Sequence, residues 1–159
     1  MEQQAERDNE PGQRQVQEGA GLGTFVRPGG FSTWNRFAAV NDEFIPIHMD
    51  DEAGRHAGMP GAFGMGNLTT SWLHTLVREW AGEEGRLTAF SVRFRKPALK
   101  GTVACSGTVV EVWGDGPGTS ARIELSATDE EGDSLVSAAA TVFFAILPTG
   151  LPAQAEALA

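Results

Sequence analysis

One change of period limits what this chain can become. From Asn67 to Trp80, NLTTSWLHTLVREW sets Leu68, Trp72, Leu73, Leu76, Val77 and Trp80 three and four residues apart, the spacing of one helix face. Further on the period falls to two. AFSVRFRKP alternates Phe90, Val92 and Phe94 against Ser91, Arg93 and Arg95, and is followed by the strand-like runs TVACSGTVVEVW, TSARIELSATD and SLVSAAATVFFAIL. GDGPG and EEGD separate these runs as hairpin turns. One long apolar helix beside several half-apolar strands has an economical solution, an α+β domain in which an antiparallel β-sheet wraps around the helix as a meander. The 20 glycines fit many tight turns better than a helical bundle.

With 159 residues the chain has the length of one domain. Residues 1–19 are rich in Gln, Glu and Arg and poor in large apolar side chains, so they read as a disordered tail. Residues 149–159 read as a second, flexible tail, leaving a single domain over 20–148. Within it, FSTWNRFAAV predicts a short helix with Ser32 or Thr33 as N-cap. Asp50, Asp51 and Glu52 suit the first turn of another, where carboxylates meet the positive end of the helix dipole.

Charge and residue usage narrow the function. A net charge of −9 argues against a protein that grips nucleic acid along its length, since phosphate neutralisation needs a basic face. The polar start lacks the apolar run of a signal peptide, and no run approaches the ~18 residues of a membrane span, so the expectation is a cytoplasmic protein with no membrane partner. The single cysteine, Cys105, excludes an internal disulfide and reads as a small core or interface residue. His56 and His74 have no Cys partner, so neither metal nor cofactor is expected. GMPGAFGMG lacks the Lys-Ser/Thr of a phosphate loop.

The stretch EFIPIHMDDEAGRHAGMPGAFGMGNL resembles the hydratase signature of the MaoC-like, (R)-specific enoyl-thioester hydratases, in which an acid, an aromatic, a proline and a histidine precede a loop ending in Gly-Met. The resemblance runs from about Trp34 to Leu147 and implies the hot-dog fold. By position it implies a catalytic acid at Glu43, a catalytic histidine at His48, and an oxyanion-binding amide at Gly64, taken to open the long helix. The expected substrate site takes in Asp42, Phe63 and Met65 around these residues, with Arg95 and Lys96 added from the basic stretch after Phe94. The chain departs from the pattern with Glu for Asp at Glu43, Ile for Asn at Ile45 and Phe for His at Phe63. Glu43 keeps the carboxylate with one more methylene of reach; Asp42 beside it is a second candidate acid at the wrong alignment.

The implied activity is reversible hydration of a trans-2-enoyl thioester, or dehydration of a 3-hydroxyacyl thioester, with the acyl group on coenzyme A or an acyl carrier protein. The alternative is a non-catalytic or half-catalytic subunit of a heteromeric hot-dog dehydratase in fatty-acid or polyketide biosynthesis. A thioesterase on the same fold fits the acid-to-histidine spacing less well. The chemistry needs acid/base groups and a donor for the thioester oxygen, and histidine beside a carboxylate is suited to exchange protons near neutral pH. Arg93, Arg95, Lys96 and Lys100 form a basic cluster that either meets substrate phosphates or an acidic carrier, or guards a solvated strand edge. Trp72, Trp80, Phe143 and Phe144 are more apolar surface than a lone domain readily hides, so a homodimer or a heteromer is expected.

Overall fold

The computed structural model describes residues 16–115 and 117–145. In chain order they form β1 (Gly21–Gly29), α1 (Phe31–Asn41), α2 (Pro46–Met49), α3 (Asp51–His56), α4 (Gly66–Ala81), β2 (Gly85–Phe94), β3 (Gly101–Asp115), β4 (Gly118–Thr128) and β5 (Ser134–Ala145). The five strands make one antiparallel sheet in the order β1-β3-β4-β5-β2.

Alternation builds the core. Along β4, Ala121, Ile123, Leu125 and Ala127 are buried, while Arg122 and Glu124 between them face solvent. Val103, Cys105 and Val109 on β3 and Val136, Ala140 and Val142 on β5 continue that inner face, and Leu73, Leu76, Val77 and Ala81 of α4 pack onto it. The sheet therefore wraps its apolar face around the long helix, as the change of period predicts. Cys105 is fully buried, and burial pushes its thiol up to about 11, so it is inert packing. A second, smaller core joins Trp34 and Ala38 of α1 to Ala62, Met65 and Leu68, and fixes the segment before α4 against the first helix.

Several sequence expectations are corrected. The meander holds only for β3, β4 and β5. β2 pairs with β5 at the far edge, so residues 95–100 cross over rather than turn. β1 has no counterpart in the periodicity reading. The α1 N-cap is Gly30, with the Trp34 N–H donated to its carbonyl at 2.9 Å, and neither Ser32 nor Thr33 caps the helix. Residues 16–19, assigned to the tail, pack instead: Val16 lies against the main core and the Gly19 N–H donates to Val109 O at 2.8 Å. The rest of the expected N-terminal tail, and the expected tail over 149–159, lie outside the described residues.

The apolar surface also differs from expectation. Trp72, Trp80, Phe143 and Phe144 are half-buried, with Trp80 edge-on to Phe144 at 5.5 Å. The large side chains left open include Val40, Phe44, Ile45 and Phe94. EEGD does form a turn, in which Gly132 takes φ 84° and the Asp133 N–H donates to Asp129 Oδ1 at 2.7 Å. No helix among the described residues is long and apolar enough to cross a membrane.

Candidate active site

The site begins where α1 stops. Asp42 adopts the left-handed conformation (φ 53°, ψ 41°), its N–H and that of Glu43 both reach Ala38 O, and the helix closes in a Schellman-like cap. Asp42 is thereby spent on the cap and points to solvent, whereas the half-buried Glu43 lines a cavity of about 450 Å³. The chain then enters α2 with Pro46 in the first helical turn, where a missing N–H costs nothing, and this single turn carries His48 inward.

His48 is buried, at 7% exposure. Its Nδ1 lies 2.7 Å from Phe63 O and its ring is edge-on to that of Phe63 at 5.0 Å. A carbonyl oxygen only accepts, so Nδ1 carries the hydrogen and the neutral ring presents Nε2 as the basic nitrogen. His48 stands one layer behind Phe63, which is itself part of the cavity wall.

The glycine-rich loop is held from several sides. The Asp50 side chain caps α3 through the Ala53 N–H at 2.8 Å, as its acidic start predicts. Asp51 Oδ1 accepts from the Ala62 N–H at 3.0 Å, while Oδ2 meets Lys100 Nζ at 2.6 Å. The Lys100 hydrogen bond, with that of Ala62, holds the Asp51 carboxyl below its ordinary 3.8. Asp51 thus ties the loop to the crossover after β2. From the other direction the Gly64 N–H donates to Ala98 O at 2.7 Å, and Arg95 N–H donates to Leu135 O at 2.9 Å. The crossover is stitched between loop and β5, and these three strips wall the cavity.

Gly64 is therefore not the orphan donor that the resemblance implies. The long helix opens two residues later, at Gly66, and the Gly64 amide is already committed to Ala98. Glycine is required there for space, because a Cβ would lie 2.8 Å from Trp34 Nε1. The N–H groups of Gly66 and Asn67, which both line the cavity, have no acceptor among the described residues.

Of the other expected site residues, Phe63, Arg95 and Lys96 do line the cavity. Met65 does not: at 1% exposure it belongs to the second core. Asp42 is likewise outside the cavity wall. The basic cluster divides. Lys96 pairs with Asp133 at 2.5 Å, a bond that raises its pKa, and Lys100 pairs with Asp51. Arg95 donates through Nε to Ser137 Oγ at 3.1 Å and has no carboxylate partner among the described residues. Sequence reasoning missed Gly66, Asn67 and Thr69 as lining residues. Thr69 left a signal, a hydroxyl on the apolar stripe that continues through Leu73 and Leu76.

A five-stranded antiparallel sheet curled on one helix, with a cavity at the helix N-terminus, defines the hot-dog class. The family model described as MaoC like domain matches residues 23–130, so the chain belongs to the MaoC-like dehydratase family. No curated protein matches the chain. Among solved structures, the (R)-hydratase from A. caviae involved in PHA biosynthesis is 20% identical, with a TM-score of 0.71 over 79% of this chain and 95% of that one. The ChsH1-ChsH2 complex from Mycobacterium tuberculosis gives 21% identity and a TM-score of 0.70, covering 80% and 97%. The C-terminally truncated HadBC (3R-hydroxyacyl-ACP dehydratase) complex from the same organism gives 14% and 0.65, covering 79% and 96%. At these identities the likeness is one of fold.

Proposed function

We propose that this protein interconverts trans-2-enoyl and 3-hydroxyacyl thioesters by adding or removing water, with the acyl group carried by coenzyme A or an acyl carrier protein. The observation that carries the reading is a carboxylate, Glu43, on the wall of a cavity whose neighbouring wall residue, Phe63, accepts the Nδ1–H of the buried His48 and so leaves its Nε2 basic. In hydration, Glu43 and His48 Nε2 together hold a water. One proton is drawn off as the hydroxyl bonds to C3, and a proton is returned to C2 from the same pair. The electron pair of the double bond passes transiently to the thioester oxygen. The N–H groups of Gly66 and Asn67, without an acceptor among the described residues and at the positive end of α4, receive that charge in this reading, in the role the resemblance gave to Gly64.

A second reading is supported by the position of His48 behind Phe63 rather than on the cavity wall. In that reading the chain is the non-catalytic or half-catalytic subunit of a heteromeric hot-dog dehydratase. Both readings pair the chain with a second hot-dog subunit, since β2 is an edge strand ending in the exposed Phe94 beside the cavity. Purified protein assayed with crotonyl-CoA, by loss of the enoyl absorbance, separates them. Hydration by this chain alone supports the first reading; hydration that needs a second, different hot-dog chain supports the other. A purified protein that is monomeric by light scattering while fully active contradicts the pairing.

A further inference from the structure

The cavity is graded in depth. Arg95, Lys96 and Asn67 form an exposed rim, while Ala98, Leu135 and Val136 are at most 8% exposed and make an apolar floor. One polar side chain shares that floor, Thr69, at 3% exposure. Its neighbours on α4 return their hydroxyls to the preceding turn: Thr70 to Gly66 O at 3.0 Å, Ser71 to Leu68 O at 2.7 Å and Thr75 to Ser71 O at 2.9 Å. Thr69 makes no such bond and has no other partner among the described residues. No fully enclosed side-chain N or O among those residues lacks a partner, so the Thr69 hydroxyl opens onto the cavity.

An unpaired hydroxyl facing an apolar occupant stays desolvated and unsatisfied, which penalises a plain hydrocarbon chain. An occupant with its own oxygen at that depth removes the penalty. Glu43 is half-buried and so more exposed than the floor; with the reacting carbons beside it, later carbons of the acyl chain reach the floor. We propose that Thr69 reads an oxygen on the acyl chain, so that the site prefers thioesters whose acyl group carries a hydroxyl or keto oxygen beyond C3 over plain alkyl thioesters. This rests on the acyl-thioester reading above and adds the substrate class.

The test uses binding, which does not depend on turnover. Hexanoyl-CoA and its analogues hydroxylated at C4, C5 or C6 are saturated between C2 and C3 and lack a 3-hydroxyl, so they cannot react. Their dissociation constants are measured by calorimetry on the full chain and on Thr69→Val, which replaces the hydroxyl by a methyl, and on Thr69→Ser, which keeps it. The native protein should bind at least one hydroxylated analogue about tenfold more tightly than hexanoyl-CoA, the scale of one well-placed hydrogen bond. Thr69→Val should lose that preference and Thr69→Ser retain it. The thermal midpoint of Thr69→Val should be unchanged or higher, because no bond within the protein is lost. Equal preferences in the native chain and Thr69→Val, or tighter binding of hexanoyl-CoA by the native chain, overturn the inference. Thr69-dependent preference without crotonyl-CoA hydration leaves the inference standing and refutes the catalytic reading alone. Absence of binding by every analogue, and by the same acyl groups loaded on an acyl carrier protein, overturns both.

Discussion

Replacing Asp42 by glycine separates the two neighbouring acids. Asp42 holds a left-handed conformation at φ 53° as the cap of α1, and it is exposed. A non-glycine residue in that conformation costs about 1–2 kcal/mol, somewhat less for Asp, whereas glycine adopts it freely at an added cost of roughly 0.5–1 kcal/mol in unfolded-chain entropy. The two nearly cancel, leaving Asp42→Gly as stable as native or more stable by up to about 0.5 kcal/mol, at most roughly 2 °C in thermal midpoint for a chain of this size. Asp42→Ala, with a Cβ and no local hydrogen bonding, should be destabilised by about 0.5 kcal/mol. Turnover in both, measured by crotonyl-CoA hydration at a temperature where both are folded, should stay within about threefold of native, far from the hundredfold of a lost acid/base group. Asp42→Gly that is folded with a native-like midpoint but inactive would refute the assignment of Glu43 as the working acid and move it to Asp42.

Gly64→Ala should lower the thermal midpoint, because its Cβ would be 2.8 Å from Trp34 Nε1 in the packed second core, an overpacking cost of about 1–3 kcal/mol; an unchanged midpoint contradicts the close approach. Arg95→Ala should raise KM with little change in kcat, and more so at low salt, whereas Lys96→Ala should do less because Asp133 already holds that ammonium. Equal effects of the two on KM would show that the ion pair does not restrain Lys96. The Asp51 carboxyl titrates below 3.8 in the folded chain, so its contribution to stability is complete above about pH 5 and is lost as pH falls through the lowered value. Thermal midpoints measured from pH 6 downward should therefore fall less steeply below pH 4 in Asp51→Asn than in the native chain; parallel profiles refute the linkage.

How much was legible in the sequence followed from how local each determinant is. Leu68 to Trp80 and the runs that became β3, β4 and β5 carry their period in consecutive residues, so the helix and its sheet were readable. β1 was not, because GLGTFVRPG is an edge strand with three glycines and a proline and its side chains are mostly open or half-open. The partner of β2 was also invisible. Its pairing with β5 joins Phe90 to Ala140, fifty residues apart, and no local pattern encodes that. The resemblance located the segment from Glu43 to Gly64, and the structure brings Glu43, Phe63 and Gly64 of it to one cavity, with His48 behind Phe63. It misplaced the donor, because the Gly64 amide is taken by Ala98, which arrives only through the crossover. Met65 was misread for a related reason: Trp34 and Ala38, from an earlier helix, close over it.

In the proposed hydration Glu43 and His48 act on one water as a unit. The most direct measurement compares kcat for crotonyl-CoA hydration in Glu43→Gln, His48→Ala and the double variant, each verified as folded by thermal melting. Each single change should cost on the order of a hundredfold or more, and the double variant should be little slower than the slower single, since removing one member already disables the other. Single variants within tenfold of native, or losses that multiply in the double variant, would contradict a shared acid/base site.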